Sequence, residues 1–191
     1  MAQKIFYPFV ITESDAPNAI TFKDTFSLDE CKKIIDLFKD NTVATIGSGS
    51  IRQKVRDSHL HWIDLSDDTR WIYERLEKYV LEANNVFKLD LWGFSEKIQL
   101  TKYGVNQHYD WHKDSGKYKS SVRKLSIVVN LTDPNDYDGG MLEFFGRENA
   151  NMAKDQGAMV IFPSYLYHRV ESVTSGTRYS LVMWVSGRPY V

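Results

Sequence analysis

Residues 107–116 read Gln-His-Tyr-Asp-Trp-His-Lys-Asp-Ser-Gly. Four side chains in this stretch are potential metal ligands: His108, Asp110, His112 and Asp114. Alternate side chains of an extended strand point to the same face, so these even-numbered residues would line one face. A polar row of this kind does not build an apolar core. It predicts a strand that faces a bound ligand, for which a metal ion is the first candidate.

The bulk composition predicts one soluble globular domain. The chain has 191 residues, of which 42% are hydrophobic and 26% charged, and its formal net charge is −1. This balance disfavours disorder, and the near-zero charge argues against a nucleic-acid partner, which needs a concentrated basic surface. No run of about 18 apolar residues predicts a membrane span, and the first residues do not resemble a signal peptide.

Cys31 is the only cysteine, so no disulfide can form within the chain. A reducing compartment suits such a chain, and we expect a cytoplasmic protein, or one in the host cytoplasm if its source is a virus. Nothing near Cys31 in the sequence would lower the pKa of its thiol. We therefore expect a buried core residue rather than a nucleophile.

Two helices are predicted in the N-terminal half. Residues 27–30 read Ser-Leu-Asp-Glu, a capping box that predicts a helix near residues 28–40 with Cys31 on its buried side. A second helix is predicted over residues 67–85, where an apolar face recurs at helical spacing. Two aspartates at its start favour the N-terminal end of the helix dipole.

The sequence from residue 89 onward consists of short segments rich in β-branched and aromatic residues. The predicted strands cover residues 89–103, 107–114, 124–131, 141–145, 158–162, 168–173 and 178–185. Turn signals separate them, including those at residues 133–135, 138–140 and 174–176. One or two outer strands are also predicted within residues 1–24.

Many short strands at this spacing predict a mainly β fold with flanking α: a double-stranded β-helix, or jelly roll, with the two N-terminal helices packed on one sheet. No break in composition marks a domain boundary, so we expect a single domain over residues 1–191. Residues 1–88 would form a helical and strand support region, and residues 89–186 the jelly-roll core.

A His-x-Asp pair on the 107–114 strand and a distant histidine would supply two imidazoles and one carboxylate. This set suits the facial triad of non-haem Fe(II), which leaves positions open for substrates and O2. His168 stands at the entry to a late strand, and Arg178 opens the next one. We expect these neighbouring strands to place Arg178 in the same cavity as His168. A buried guanidinium is costly unless it meets an anion, so a dicarboxylate cosubstrate would account for it.

One ordered set of residues resembles the 2-oxoglutarate- and Fe(II)-dependent oxygenases, specifically their prolyl 4-hydroxylase-like branch: Tyr103, His112, Asp114, His168 and Arg178. The resemblance covers roughly residues 26–186 and is most specific in residues 162–180. Further supporting segments are residues 55–58 with Trp62, residues 103–104, residues 109–114 and residues 133–142.

The resemblance implies that His112, Asp114 and His168 bind Fe(II). It also implies that Arg178 pairs with the distal carboxylate of 2-oxoglutarate and that Tyr103 forms a hydrogen bond with the same cosubstrate. O2 would be the second cosubstrate, and ascorbate would be the reductant that restores oxidised iron.

Four further residues take roles from the resemblance or from strand parity. Asn130 stands where the family often has an aromatic contact to the cosubstrate. Arg56 and Ser58 match an Arg-x-Ser segment that lies near the peptide groove of prolyl 4-hydroxylases. Trp184 shares strand parity with Arg178 and is expected to form a wall of the cavity.

His108 and Asp110 form a second pair with the same spacing as the preferred ligands. We prefer the later pair because Asp114 adjoins the Ser-Gly loop signal of residues 115–116, where a site can open. The family also places a tyrosine three residues before the ligand histidine, as Tyr109 is here. The earlier pair would then lie near the metal or face the substrate.

Two other features have ordinary structural explanations. His59 and His61 share a two-residue spacing that could bind a metal, but we expect them to pack on the surface or in a loop. The basic residues 117–124 could suggest phosphate binding, and we expect a solvated loop there instead.

The predicted activity is hydroxylation of an unactivated C–H bond, and the resemblance indicates a prolyl residue of a peptide or protein as the substrate. The same chemistry on a small molecule, a free amino acid or a methylated nucleic-acid base is the alternative within this class. A catalytically inactive jelly-roll binding module and a zinc hydrolase are alternatives of other classes. Arg178 argues against both, because neither requires a buried guanidinium.

Overall fold

The computed structural model describes residues 19–39, 54–146 and 154–189, which contain two α-helices and thirteen strands. The helices are α1 (Leu28–Ile35) and α2 (Arg70–Phe87). The strands are β1 (Ile20–Phe22), β2 (Arg56–Asp57), β3 (His59–Ile63), β4 (Leu91–Phe94), β5 (Ile98–Tyr103), β6 (His108–His112), β7 (Arg123–Asn130), β8 (Tyr137–Gly139), β9 (Leu142–Phe144), β10 (Met159–Pro163), β11 (His168–Val170), β12 (Val173–Gly176) and β13 (Arg178–Gly187). A 3-10 helix, Tyr118–Val122, precedes β7.

The strands form two facing antiparallel sheets and a short ribbon. The major sheet has the order β1-β10-β7-β13-β5-β3, and β4 also pairs with β13. The minor sheet has the order β2-β6-β11-β9, and β12 pairs with β8 in the ribbon. One apolar cluster draws its residues from both sheets and the ribbon, so it lies between the sheets. The architecture is the predicted jelly roll.

Alternate residues of the major sheet belong to two different environments. The helix face consists of the apolar residues that pack in one cluster with α1 and α2: Ile98, Leu100, Leu125, Ile127, Val129, Met159, Ile161, Leu181, Met183 and Val185. The inner face consists of the intervening residues, which point towards the minor sheet: Gln99, Thr101, Tyr103, Ser126, Val128, Asn130, Val160, Phe162, Arg178, Ser180, Val182 and Trp184. The predicted packing of two helices on one sheet is therefore confirmed.

Helix α1 begins with the predicted capping box. The Ser27 hydroxyl accepts from the Glu30 amide at 3.2 Å, and the Ser27 amide donates to the Glu30 carboxylate at 2.8 Å. Cys31 lies on the buried side, as predicted. The predicted end near residue 40 was wrong, because the helix stops at Ile35 and continues only as tight turns. The ring of Phe38 instead packs 5.7 Å from that of Tyr179, on the sheet.

Helix α2 begins and ends later than the predicted 67–85. The Thr69 hydroxyl accepts from the Ser66 amide at 2.9 Å, and this contact closes a turn that delays the helix to Arg70. The two aspartates therefore precede the helix instead of occupying its first turn. The helix ends at Phe87, where Lys88 takes a left-handed conformation with φ of 52°. Its buried residues agree with the predicted apolar face: Ile72, Leu76, Val80 and Ala83.

Three predicted strands are interrupted or shortened. The predicted strand 89–103 is two strands, β4 and β5, and residues 168–173 are divided between β11 and the start of β12. The strand predicted over 107–114 ends at His112, so Asp114 lies beyond it. β4 and β5 both pair with β13, and the break between them lies at residues 95–97. β11 and β12 pair with different strands, a change of partner that local propensity does not encode.

Two predicted turns lie largely within strands of the ribbon. Gly139 ends β8 with φ of +71°, and Gly176 ends β12 with φ of +72°. A Cβ at Gly176 would lie 2.0 Å from the Asp136 carbonyl oxygen, so glycine is required where the two strands meet. The glycines were correctly identified as residues that adopt special backbone conformations, but they lie at the ends of two paired strands instead of in separate turns.

The remaining predictions concern the outer strand, the basic loop, membrane helices and the domain organisation. One outer strand of residues 1–24 is present as β1, which pairs with β10; residues 1–18 lie outside the described residues. The predicted loop at residues 117–124 contains the 3-10 helix and the start of β7. Among the helices of the described ranges, none is long and apolar enough to cross a membrane. The single domain and its division at residue 88 stay predictions.

Candidate active site

Three predicted ligands lie together between the sheets. His112 ends β6, His168 begins β11, and the two are register partners across this strand pair. Asp114 follows β6, and its carboxylate oxygens lie 3.7 Å from His112 Nε2 and 3.6 Å from His168 Nε2. The candidate ligand atoms are all within 4.8 Å of one another. Two imidazoles and one carboxylate at this spacing fit a single transition-metal ion.

A β-bulge in β6 aims His112 into this cluster. Val170 pairs with Tyr109 and His168 with His112, so β6 uses one more residue than β11 over the same span. The extra residue turns His112 to the side of Tyr109, and their rings stack at 3.5 Å. The prediction that all four polar residues of 107–116 share one face was therefore wrong.

Main-chain carbonyls orient both imidazoles. His112 Nδ1 lies 2.8 Å from the carbonyl oxygen of Asp110, and His168 Nδ1 lies 2.9 Å from that of Leu166. A carbonyl oxygen only accepts, so each Nδ1 carries the proton and each Nε2 presents a lone pair. Both histidines are thus in the tautomer that a metal needs at Nε2.

Asp114 is held from the opposite sheet. The Ser164 carbonyl accepts from the amides of Asp114 and Ser115, at 3.0 and 2.9 Å. The Ser126 hydroxyl donates to Asp114 Oδ2 at 2.6 Å and also contacts the Ser164 hydroxyl at 2.9 Å. The carboxylate is therefore fixed in position although it lies outside any strand.

The electrostatics of the cluster favour the metal-binding forms of its residues. Burial, together with repulsion from His168, lowers the pKa of His112 to about 4, so this imidazole is neutral near pH 7. Burial alone would raise the pKa of Asp114, but the two imidazoles and the Ser126 hydroxyl outweigh burial and hold that pKa below its usual value. The carboxyl group is therefore an ionised ligand.

Arg56 and Tyr109 form a layer beside His112. The Arg56 guanidinium lies 4.5 Å from the centre of the Tyr109 ring, and its Nε donates to the Ser58 hydroxyl at 3.1 Å. Burial raises the pKa of Tyr109 to about 12, so the phenol stays protonated. The predicted Arg-x-Ser segment is thereby brought next to the candidate ligands, as β2 pairs with β6.

Arg178 and Tyr103 are register partners on the inner face of the major sheet. Arg178 is only 3% exposed, its guanidinium lies 5.8 Å from the Tyr103 ring centre, and its Nη1 is buried with no hydrogen-bond partner among the described residues. A buried, unpaired guanidinium donor points to an anionic ligand. The donor fits the distal carboxylate of 2-oxoglutarate.

The prediction that His168 and Arg178 lie on neighbouring strands was wrong. Strand β11 belongs to the minor sheet and β13 to the major sheet. His168 packs against Phe162 of the inner face, with ring centres 4.8 Å apart, and Arg178 belongs to the same face. The histidine and the arginine therefore reach the space between the sheets from opposite sides.

Asn130 uses its amide donors on the main chain. Its Nδ2 donates to the carbonyls of Thr132 and Lys154, at 2.8 and 2.7 Å, and its buried Oδ1 has no partner in the described ranges. The free atom is an acceptor, which does not complement a carboxylate. The cosubstrate contact proposed for Asn130 stays a prediction, and it would require these two bonds to rearrange.

Trp184 lies on the inner face opposite Ser126. The Arg123 guanidinium covers its ring at 3.7 Å, and Trp62 packs 6.4 Å from it. Its buried Nε1 has no hydrogen-bond partner among the residues described. This arrangement is compatible with the predicted cavity wall, and the indole also helps to lower the pKa of the Asp114 carboxyl group.

The alternative histidines lie elsewhere. His108 contacts the carbonyl oxygens of Asn106 and Lys54, and Asp110 accepts from the Trp111 amide. Neither belongs to the one potential metal-binding group of the described residues. His59 contacts the Gln107 amide, and His61 packs 6.3 Å from the Phe38 ring. The packing role expected of His61 fits this contact.

Sequence reasoning missed Ser126 and Ser164, which hold Asp114. It also missed the ion pair of Arg123 with Glu96, whose two hydrogen bonds of 2.6 Å fix the guanidinium over Trp184. Strand parity could have found Ser126, because it is a polar residue in an apolar run and shares the face of Asn130. The other contacts join distant segments and leave no local signal.

Comparison with known families agrees with this site. Residues 98–186 match the family model of the 2OG-Fe(II) oxygenase superfamily. This segment runs from β5 to β13 and contains all three candidate ligands as well as Arg178. The match and the site together support a 2-oxoglutarate- and Fe(II)-dependent oxygenase, a class that uses Fe(II), 2-oxoglutarate and O2.

The chain is also similar to PKHD-type hydroxylases. It is 29% identical over 174 residues to one from Sphingopyxis alaskensis, covering 80% of this chain and 77% of the relative. It is 28% identical over 120 residues to one from Prochlorococcus marinus strain MIT 9303, covering 62% of this chain. That match spans only 52% of the Prochlorococcus protein, about half its length.

Solved structures extend the likeness to the fold. A Pseudomonas putida prolyl-4-hydroxylase has a TM-score of 0.66 at 20% identity, covering 90% of this chain and 93% of the other. A viral collagen prolyl hydroxylase from Paramecium bursaria Chlorella virus-1, solved with 2OG, has a TM-score of 0.69 at 21% identity, covering 93% and 100%. The fold of this chain is therefore prolyl 4-hydroxylase-like.

Proposed function

We propose that this protein is an Fe(II)- and 2-oxoglutarate-dependent dioxygenase that hydroxylates a C–H bond of a prolyl residue in a peptide or protein. One observation supports it above all others. A compact His-His-Asp group and the buried Arg178 guanidinium, whose Nη1 has no hydrogen-bond partner among the described residues, face the same space between two sheets. A metal alone would explain the first feature but not the second.

In this proposal, His112, Asp114 and His168 bind Fe(II) through two Nε2 atoms and a carboxylate oxygen. Bound Fe(II) supplies the O2 chemistry, in which 2-oxoglutarate loses CO2 to give succinate and one oxygen atom enters the substrate C–H bond. Arg178 binds the distal carboxylate of 2-oxoglutarate, and Tyr103 forms a hydrogen bond with the same molecule. The apolar cluster between the sheets limits water around these groups.

The proposed substrate side of the site contains Arg56 and Trp184. Arg56 is buried against Tyr109 beside His112, and the Trp184 indole lies opposite Ser126 and near the Asp114 carboxylate. A peptide is supported by the similarity to proteins named as hydroxylases and prolyl hydroxylases, one of them solved with a peptide fragment of hypoxia inducible factor. The near-neutral net charge of −1 supports a peptide over a nucleic acid.

The proposal also covers the reductant, the compartment and the domain organisation. Ascorbate serves as the reductant that restores iron after oxidation without substrate. The protein acts in the cytoplasm, which suits a chain whose only cysteine is buried and unpaired. The helices and the jelly roll act as one domain, since α1, α2 and the major sheet share a single apolar cluster.

The test is succinate formation from 2-oxoglutarate with Fe(II) and ascorbate, measured with and without a panel of proline-containing peptides. We expect a peptide to stimulate turnover and to gain one oxygen atom in its mass spectrum. The same assay uses His112→Ala and Arg178→Ala variants, which should both lose activity.

Each other outcome has a definite meaning. Turnover that no peptide stimulates would keep the chemistry and direct the search to small molecules and free amino acids. Absence of turnover, together with no binding of 2-oxoglutarate under anaerobic Fe(II), would overturn the enzyme and leave a binding module.

A further inference from the structure

Asp114 lies in a segment that no strand pairing fixes. It follows β6 by two residues, yet its side chain is only 9% exposed. Its position depends on the end of β10, where the Ser164 carbonyl accepts from two consecutive amides, and on the Ser126 hydroxyl, which reaches Oδ2 at 2.6 Å. These main-chain hydrogen bonds position the backbone of Asp114, and the contact with Ser126 sets the orientation of its carboxylate.

The hydrogen bonds around this carboxylate have a fixed direction. An ionised carboxylate only accepts, so the single hydroxyl proton of Ser126 is donated to Asp114. Ser126 must then accept from Ser164, whose hydroxyl oxygen lies 2.9 Å away. The chain of donors therefore runs from Ser164 through Ser126 to Asp114 Oδ2, and both serines are completely buried.

The two carboxylate oxygens are consequently unequal. Both face an imidazole, since Oδ1 lies 3.7 Å from His112 Nε2 and Oδ2 lies 3.6 Å from His168 Nε2. Only Oδ2 accepts the hydrogen bond from Ser126, which occupies one of its two lone-pair sites and makes it the less available oxygen for a metal ion. Without Ser126, Oδ2 would lose this hydrogen bond and become more available to the same ion.

The difference between the two carboxylate oxygens affects how many coordination positions remain open on a bound metal ion. A facial triad leaves room for a chelating cosubstrate and O2 when its carboxylate provides one oxygen. A carboxylate that binds through both oxygens would occupy a further position. We infer that Ser126, supported by Ser164, is a positioning residue that makes Asp114 bind the metal through Oδ1 alone. The inference rests on the proposed function, because it assumes that Asp114 is a ligand.

The experiment compares Fe(II) affinity and carboxylate coordination in the full chain. Affinity is measured anaerobically by competition with a chelator, for wild type, Ser126→Ala and Ser126→Thr. Infrared difference spectra of protein with isotope-labelled aspartate report coordination, because the two carboxylate stretches move closer together when both oxygens bind. Ser186→Ala is the matched control, as it removes a buried hydroxyl at the far end of β13 that pairs with Ser95.

We expect Ser126→Ala to bind Fe(II) about 10–100-fold more weakly and to show the smaller separation of carboxylate stretches. Ser126→Thr keeps the hydroxyl and should restore both the affinity and the spectrum, and Ser186→Ala should resemble wild type. Thermal unfolding of each apoprotein separates a local change from a loss of fold.

Two results would overturn the inference, and they are distinguishable. If wild type binds Fe(II) and Ser126→Ala has the same affinity and spectrum, Ser126 does not position the carboxylate and the proposed function stands. If wild type itself binds no Fe(II), the proposed function fails and the inference fails with it.

Discussion

On the helix face of the major sheet, Leu100, Ile127 and Leu181 are completely buried in one apolar cluster with α1 and α2. On the inner face of the same strands, Ser126, one residue from Ile127, and Arg178, three residues before Leu181, are also almost completely buried. None of the ten residues defined as the helix face is charged or has a hydroxyl, whereas the inner face adds the polar groups of Ser126, Asn130 and Arg178 to its apolar residues. The two faces share a backbone, and of the two only the inner face contributes to the candidate site.

The comparison shows how one sheet separates stability from function. Apolar burial on the helix face stabilises the strands, at about 25 cal/mol for each Å² removed from water. The inner face contains groups whose burial is costly, including one guanidinium nitrogen, one amide oxygen and one indole nitrogen that have no hydrogen-bond partner within the part of the chain that is described. Apolar burial on the helix face can offset this cost, because both faces belong to the same paired strands and fold together. Substitutions on the two faces should therefore change different properties.

The largest expected effect is on the metal itself. His112→Ala removes a proposed ligand from the inner space and should abolish Fe(II) binding and turnover. His108→Ala is the matched control, since His108 lies four residues earlier on the same strand and outside the ligand group. Anaerobic Fe(II) titration of both variants provides the measurement. Loss of iron from His108→Ala with retention in His112→Ala would reverse the assignment of the two His-x-Asp pairs.

Arg178→Met should weaken 2-oxoglutarate binding and leave Fe(II) binding intact. Removing one partner of a buried, hydrogen-bonded charge pair costs about 2–5 kcal/mol, which is about 30-fold or more in affinity. Isothermal titration with 2-oxoglutarate under anaerobic Fe(II) measures the change. Arg169→Met is the control, because Arg169 pairs with Glu143 and Glu171 beside Trp111 rather than facing the cavity. Equal affinities of Arg178→Met and wild type would remove Arg178 from the cosubstrate site.

Ile127→Ala tests the opposite face, one residue from Ser126. A completely buried isoleucine replaced by alanine destabilises a protein by about 2–5 kcal/mol through lost burial and the cavity that remains. Denaturant unfolding should show this loss, and the folded variant should bind Fe(II) as wild type does. Ser126→Ala should show the reverse pattern. A weaker metal affinity in folded Ile127→Ala would mean that the two faces are not independent.

The sequence predicted which residues lie together better than it predicted the elements that hold them. A His-x-Asp pair and a distant histidine indicated a facial triad, and the family resemblance singled out His112, Asp114 and His168, which the structure brings together. The bulge in β6 could not be predicted, because it depends on pairing with β11, a strand 60 residues away in the chain. For the same reason, the contact of Ser126 with Asp114 has no counterpart in local sequence. Helix ends also depended on distant packing, as the Phe38 contact with Tyr179 shows.

The smallest expected effect concerns a charge on the helix side of the molecule. Glu30 closes the capping box of α1 and pairs with Arg75 of α2, with its oxygens 2.9 and 3.2 Å from the guanidinium nitrogens. Glu30→Gln keeps a side-chain oxygen for the Ser27 amide but removes the ion pair. Because the pair is partly exposed to solvent, we expect a loss of only about 0.5–1 kcal/mol near pH 7, and no change in Fe(II) affinity.

The pH dependence identifies the charge as the source of that loss. The hydrogen bonds from Arg75 lower the pKa of Glu30 below the value it has in the unfolded chain. A carboxyl group with a lowered folded pKa contributes its stability above the unfolded pKa, about 4.3, and this contribution is lost as pH falls through the folded pKa. The difference in unfolding free energy between wild type and Glu30→Gln should thus be constant at neutral pH and shrink below about pH 4. A difference that persists unchanged in acid would assign it to altered capping instead of the ion pair. An accompanying change in Fe(II) affinity would show that the helix layer affects the inner face after all.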